Sequence, residues 1–583
     1  MKKPIKIQSA IISVLLISAL GAAAQQPDRI QQHVRYLASD ALEGRRTGTK
    51  GATEAANYIA KEFSRLKLKP LSTGYLQKFP YVAGVTLGKT NSLTFAQDKL
   101  EPGTDWLPLG FSSSTKVDGG LVFVGYGITA SELNHNDYAT GNATGKIAIA
   151  LQGTPDGANP HGQFLRYEGV RWKAVAARNA GAKGLIVIAR EANFKDDRLT
   201  KLAYDNMAGD AGLPVIIMSR QAADRLVALS ASSLSQLEQS PASRTLTGEM
   251  SLSTDIVRSE VPAYNVIGML EGSDPLLKKS VIIIGAHYDH LGRGGEGSGS
   301  LAPTSGDIHH GADDNASGTA GVLELARLFS TQKPKPKRTI VFMAFGGEEE
   351  GLLGSNYYVN HPLLPLANTV AMINMDMIGR MKERRLVIGG VGTAKEWRDI
   401  MAADTEKSFQ LTLNEDGFGP SDHSSFYAKQ IPVLFFWTGT HNDYHKPSDT
   451  FEKINYDDEV LILKMVARIV NQLDTADKRV TYTTAKSDAA PRTGGFRVYL
   501  GTIPNYADSN DGLLIDGVRD DSPAAKAGLK AGDKIVKIGT REIKSVYDYT
   551  AALGEMKTGE EYVVEVVRGT EKLSLKLKPE ARK

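Results

Sequence analysis

The chain has 583 residues, of which 41% are hydrophobic and 23% charged, enough for about three to four domains and unlike a mainly disordered or polytopic membrane protein. It has no cysteine, which excludes disulfides, thiol nucleophiles and thiolate metal sites, so any metal must be held by His, Asp, Glu or water. The formal net charge of +3 is supplied entirely by Lys2, Lys3 and Lys6, and the neutral remainder gives no reason to expect a nucleic-acid or anionic-membrane partner.

Residues 1–24 read as a secretory signal. Basic Met1–Lys6 precedes the apolar run Ile11–Leu20, and the small residues Ala22–Ala24 precede a cleavage expected after Ala24. The apolar run is short for a bilayer crossing, though an uncleaved anchor is the alternative. No later stretch reaches about eighteen apolar residues, so the mature chain is expected to be exported, periplasmic or extracellular, without stable membrane insertion.

In residues 27–105 the apolar spacing predicts helices over Ile30–Leu37 and Ala52–Leu66. Residues 106–255 alternate short strands (Leu121–Val124, Lys146–Leu151, Gly184–Ile188, Pro214–Met218) with loops and a helix near Val170–Ala180. Residues 256–475 carry buried-strand runs at Val281–Ala286, Thr339–Phe345, Val370–Met375 and Pro432–Trp437, with amphipathic helices such as Thr319–Phe329 and Val460–Leu473 between them. That alternation predicts an α/β domain with a mostly parallel, mixed sheet sandwiched by helices. Lys333–Arg338 (KPKPKR) reads as a solvated loop. Residues 476–495 are polar and aperiodic and read as a linker. Residues 496–580 return to short strands in a compact, mainly-β module.

Chemistry gathers where the strands end. His287-Tyr288-Asp289-His290 follows the first run, Glu348-Glu349-Glu350 the second, Asp376 the third, and His445 lies beyond the fourth. Gly311-Ala312-Asp313-Asp314-Asn315 opens a helix. Ligands collect outside the carboxyl ends of parallel strands in open α/β sheets. Taken singly, Asp313 could be a helix cap, His445 a surface residue and the glutamates a solvated turn. Five such segments in order point instead to a metal site, because adjacent acids behind a buried strand are costly without a counter-charge.

HYDHLG, GADDNASG, FGGEEEGLLGS, NMDMIGR, SDHSSF and DYHKPSDT together resemble the co-catalytic zinc exopeptidase family, which includes bacterial leucyl-type aminopeptidases and glutamate carboxypeptidases. LASDALEGRRTGTKG (Leu37–Gly51) resembles that family's N-terminal signature. The resemblance implies two zinc ions bridged by Asp313. His287 and Asp376 would complete one ion's protein ligands, and Glu349 with His445 the other's. Glu348 would be the general base. A cis peptide would follow the bridging aspartate, at Asp313–Asp314. Asp289 is expected to orient His287 through its second N–H, and Asp449 to support the His445 loop. Asp422-His423 matches a motif near the substrate pocket, while His290, His309 and His310 read as loop or supporting histidines. Asn315 stands where some members carry a third aspartate.

Residues 106–255 resemble a protease-associated domain through GKIAIALQG, AARNAGAKGLIVIA and LPVIIMSRQAADRL. Residues 496–580 resemble a bacterial PDZ module, most specifically over Asp520–Ile538 with Pro523, Gly528 and Gly532. There Tyr499, Leu500, Gly501 and Thr502 occupy the place of a peptide-carboxylate loop, where a C-terminal peptide could be a partner. Thr502 replaces an apolar residue usual in that loop. The expected function is a secreted zinc aminopeptidase acting on peptides through metal-activated water. A carboxypeptidase of the glutamate carboxypeptidase type is the alternative within the enzyme class, and a non-catalytic peptide-binding scaffold the alternative outside it.

Overall fold

The computed structural model describes residues 27–581 apart from 73, 97, 131–132, 158–161, 203, 205–209, 296–297, 403–408, 486–497, 505–510, 519–521, 531, 545–547, 550–551 and 554–555. The expected signal segment, residues 486–495 of the expected linker and Asp520 lie outside the described residues.

Among the described residues, the main sheet has nine strands. Their order is Lys69–Pro70, Ile256–Leu270, Thr339–Phe345, Val281–His287, Thr369–Met375, Val433–Trp437, Arg385–Gly389 and Gln410–Leu413, with Leu76–Leu87 also paired to Ile256–Leu270. The four inner strands are parallel. Antiparallel pairing of Ile256–Leu270 and of Arg385–Gly389 makes the sheet mixed. Every residue of Val281–His287, Thr339–Phe345 and Thr369–Met375 is buried, the pattern of strands covered on both faces.

Alternate residues of these strands serve two cores. Ile282, Ile284, Ile340 and Phe342 pack under the helices Pro27–Leu37, Lys50–Arg65, Gly318–Thr331 and Tyr456–Thr475. Ile283, Val341, Met343 and Phe345 meet Tyr358 and Val359 of the helix Leu353–Asn360 and Phe426 of His423–Tyr427. Burying such a side chain contributes roughly 1.5–3 kcal/mol, so this doubly covered sheet is the rigid platform for the loops at its ends. Arg338 departs from the solvated loop expected at Lys333–Arg338. It is buried and donates to Leu473 O and Asp474 O, both at 2.8 Å, so the cation answers the negative end of the helix Tyr456–Thr475.

Among the described residues, a second sheet of eight strands is built within the first domain's chain, from Ser92–Phe95 to Arg244–Ser253. Ser92–Phe95 and Asp98–Leu100 belong to it, although both precede residue 106. The insert therefore begins between Leu87 and Ser92, earlier than expected. Ser92–Phe95 pairs with the distant Arg244–Ser253, which buries Leu93 and Phe95, and Asp98–Leu100 pairs in turn with Ser92–Phe95. Leu87 lies opposite Ile256, and Gly88 N–H donates to Asp255 O at 2.8 Å, so the insert leaves and returns at one place.

Residues 478–485 are not a free linker. Thr481 bonds Glu396, Thr483 bonds Gly392, and Ala485 is buried in the main sheet's second core. Beyond them, Thr502–Pro504, Leu513–Val518, Lys534–Ile538, Tyr562–Arg568 and Glu571–Leu577 pair in sequence order as a small C-terminal sheet with its own core.

Candidate active site

The sheet brings the expected loops together. His287 is the last residue of its strand, and Asp376 directly follows Thr369–Met375. Glu348 and Glu349 lie in the turn between Thr339–Phe345 and Leu353–Asn360. The imidazole Nε2 of His287 is 3.3 Å from Asp376 Oδ1, 3.4 Å from Asp314 Oδ1 and 3.8 Å from Glu348 Oε2. The Nε2 of His445 is 3.2 Å from the other oxygen of Asp314 and 3.4 Å from Glu349 Oε2. One carboxylate thus faces two imidazole–carboxylate groups, one through each oxygen.

That carboxylate is Asp314, not Asp313. Asp313 turns away: its Oδ1 accepts Gly379 N–H at 2.7 Å and the Ser317 hydroxyl at 3.2 Å, and its Oδ2 lies 3.1 Å from His441 Nε2. The turn that separates the neighbours starts at Gly311, whose φ of +55° and contact with Asp314 O leave no room for a Cβ. The cis peptide accordingly lies at Asp314–Asn315 rather than Asp313–Asp314. Two adjacent aspartates leave a one-residue ambiguity that the motif alone does not resolve.

Two supporting roles also differ in detail. Asp449 does not brace the His445 loop: its Oδ2 accepts the N–H groups of Asp313 and Asp314 at 2.9 and 3.1 Å, holding the turn that presents Asp314. Asp289 meets His287 chiefly through its backbone, Nδ1 to carbonyl oxygen at 3.2 Å, while Oδ1 is 3.7 Å away. The Asp289 carboxylate is occupied by Thr47 Oγ1 at 2.8 Å and by the Glu348 N–H at 3.2 Å, so it fixes the backbone of the expected base. His309 bonds Ser300 and His310 bonds Asp40 and Pro447, as loop residues. Asp422 and His423 are buried beside the site, His423 stacked on Phe435 at 4.3 Å.

His290, read from the sequence as a loop or supporting histidine, lies within the cluster, and His441 and Tyr444, which the sequence did not single out, adjoin it. His290 Nδ1 sits 2.7 Å from Glu349 Oε1 and 3.9 Å from Asp314 Oδ2, with Nε2 buried and unpartnered. His441 holds Asp313. The Tyr444 ring stacks on His445 at 3.8 Å, and burial together with Asp314 and Glu349 raises its phenol above the ordinary range. Repeated His and Tyr in HYDHLG and THNDYH were the available signal.

Charge explains why the cluster suits cations. Burial pushes Glu348 well above the ordinary glutamate value, with Asp376, Glu349 and Asp422 adding to the rise against the pull of His287. Burial likewise raises Glu349, reinforced by Asp314. His445 is driven to about 9: burial opposes the rise, but Asp314 and Glu349 outweigh it. Protons thus collect where negative charge is crowded. His287, Asp314 and Asp376 form one group of ligand atoms within 4.8 Å of one another, and His290, Asp314 and Glu349 another. Nitrogen and carboxylate donors of this kind fit zinc. Glu348 and Asp376 keep 12% and 10% of their side chains exposed, so the cluster opens to solvent.

Three stretches of the chain match models of known domain families. Residues 265–470 match the model of peptidase family M28, residues 117–226 that of the PA domain, and residues 499–578 that of a PDZ domain. The chain thus carries a peptidase family M28 domain, with a PA domain inserted and a PDZ domain towards its C-terminal end. Aminopeptidase YwaD of Bacillus subtilis is 26% identical over 408 residues, covering 64% of this chain and 77% of that protein. A probable leucine aminopeptidase of Arthroderma otae is 32% identical over 189 residues, covering 31% of this chain and half (50%) of that protein. Among solved structures, an aminopeptidase from Aneurinibacillus sp. strain AM-1 is 22% identical, with 81% of this chain and 98% of that chain covered and a TM-score of 0.46.

Proposed function

We propose that the protein is an exported aminopeptidase that removes N-terminal residues from peptides with two zinc ions. One ion would be held by His287, Asp314 and Asp376, the other by Asp314, Glu349 and His445. The observation that carries this reading is the pair of Asp314 oxygens, each turned to a separate imidazole–carboxylate group beside Glu348. When bound, the ions would supply Lewis acidity and make water acidic enough to react near neutral pH.

The protein's own groups do the proton work. The Glu348 carboxylate takes the proton of the attacking water and returns it to the leaving amine. Asp289 keeps Glu348 in place through its backbone N–H. Polarity is read from the surroundings of the base. The groups acting on Glu348 are His287, Asp376, Glu349 and Asp422, three carboxylates and an imidazole. Two of these, Asp376 and Glu349, would be answered by the ions they hold, which leaves Asp422 as the acid that would favour a substrate's free amine. The names of the two relatives above point the same way. An intact Glu348 with five candidate ligands disfavours a scaffold without turnover. The loop Tyr499–Thr502 is proposed to take a peptide's chain end through backbone N–H groups, although Thr502 already bonds Tyr549.

The test uses purified mature protein with N-terminally and C-terminally blocked peptides, with and without chelator. Loss of cleavage on N-blocking alone, together with chelator sensitivity, is expected. Cleavage that survives N-blocking and fails on C-blocking would indicate a carboxypeptidase, and cleavage indifferent to chelator would overturn the metal reading.

A further inference from the structure

We propose that Arg45 is a positioning residue that sets the two candidate ligand loops at their working separation. The inference rests on the proposed zinc site. Arg45 is fully buried. Its Nε donates to Tyr288 O at 2.7 Å, its Nη1 to Leu37 O and to His310 O at 2.7 Å, and its Nη2 to Gly311 O at 2.9 Å. Tyr288 lies between His287 and Asp289, and Gly311 opens the turn that presents Asp314. One guanidinium thus ties the loop bearing His287 and His290 to the loop bearing Asp314. It also ties both to the end of the first helix, in a segment that precedes the insert.

The backbone around Arg45 is built to hold it. Glu43, Gly44 and Arg45 are all left-handed, with φ of +47°, +71° and +50°. Gly44 is pressed against the loop after His290: a Cβ there would lie 2.4 Å from Gly292 O and 2.5 Å from His309 O. The Gly44 carbonyl accepts Gly292 N–H at 3.0 Å. A strained turn of this kind persists only when its surroundings over-determine it. Charge fits the same role. Burial lowers the Arg45 pKa to about 10, yet the group stays charged because Asp289, Asp314, Asp449 and Glu349 all favour the cation. A planar guanidinium offers five donors in a rigid fork, whereas an ammonium offers three on a single atom.

The test compares wild type, Arg45→Met and Arg45→Lys as full-length mature proteins. Each is stripped of metal, and its zinc affinity is measured by competition with a chromophoric chelator, at a temperature where circular dichroism shows it folded. Zinc affinity is expected to fall at least about tenfold in Arg45→Met, as when a group orienting metal ligands is lost. Arg45→Lys should fall between Met and wild type. A purely structural role would lower the melting temperature of the metal-free protein and leave affinity unchanged. Wild-type affinity in folded Arg45→Met overturns the inference. If Arg45→Met does not fold, wild-type affinity in Arg45→Lys overturns it. A wild-type protein that binds no zinc would instead refute the site itself.

Discussion

A buried carboxylate persists in its charged form only where neighbours answer its charge. Burial works against Asp314, yet His445, His290 and His287 together hold its pKa below the ordinary aspartate value. Asp313 has different company: two hydrogen-bond donors and His441. Asp314→Asn should therefore weaken zinc binding by about 100-fold or more, whereas Asp313→Asn should keep near-stoichiometric zinc and lose about 1–3 kcal/mol of stability from its buried bonds. Zinc content by atomic absorption and urea unfolding of both variants check this, and the reverse outcome would restore Asp313 as the shared ligand. Glu348→Gln should cut turnover by about 10²–10⁴-fold while zinc content stays near wild type, since its role lies in proton transfer. Asp422 offers a pH test. Burial raises it to about 7, so the folded, metal-free protein holds a proton there that the unfolded chain releases near pH 4. That contribution is full below about pH 4 and fades as pH rises to about 7. In chelator, the stability difference between wild type and Asp422→Asn should shift in favour of Asn across that window. A difference independent of pH would show that Asp422 does not titrate there. The types of residue in the site were legible in the sequence, because His, Asp and Glu after buried strands have few other uses. Which of two adjacent aspartates faces inward depends on the Gly311 turn, and motif spacing carries no such information.

The four inner strands and the helices over one face stood out because uninterrupted apolar runs and helical spacing are local properties, whereas the short helices Leu353–Asn360 and His423–Tyr427 over the other face did not. Val281–His287 and Thr339–Phe345 are buried from end to end, as their composition requires. The long pair Leu76–Leu87 and Ile256–Leu270 was less legible. Its residues alternate between buried and exposed only in part, and its partners are separated by the whole insert. The same distance hid the two short strands that begin the insert's sheet. Buried Arg45 and Arg338 illustrate a related limit: a basic residue reads as solvated until the carbonyls it serves are known. Gly44 provides a test at this level. Its left-handed turn and close contacts leave no space for a methyl group, so Gly44→Ala should destabilise the fold by about 1–3 kcal/mol in urea unfolding. An unchanged midpoint would show that the turn relaxes freely.

Across the whole molecule, the ligands of the proposed metal site all follow the insert, while Arg45 and Thr47 reach their loops from the segment before it. Ligand binding to the folded state alone stabilises it, by about 4 kcal/mol for an ion at a thousand times its Kd. For a domain of this size that corresponds to a melting temperature about 8–16 °C lower in chelator. A scanning calorimetry trace unchanged by chelator would contradict the coupling. If the first 24 residues are an export signal, mass spectrometry of protein recovered from the exported fraction should find Gln25 at the N-terminus. The meeting of Leu87 with Ile256 has a consequence for how the gene can be rearranged. Because the insert departs and returns between neighbouring residues of one ribbon, it behaves as a cassette. Replacing residues 88–255 with a tight hairpin would leave the ribbon's pairing intact, and other small domains with adjacent termini could be spliced there. The protease core would then be free to acquire or lose a neighbour without redrawing its own sheet.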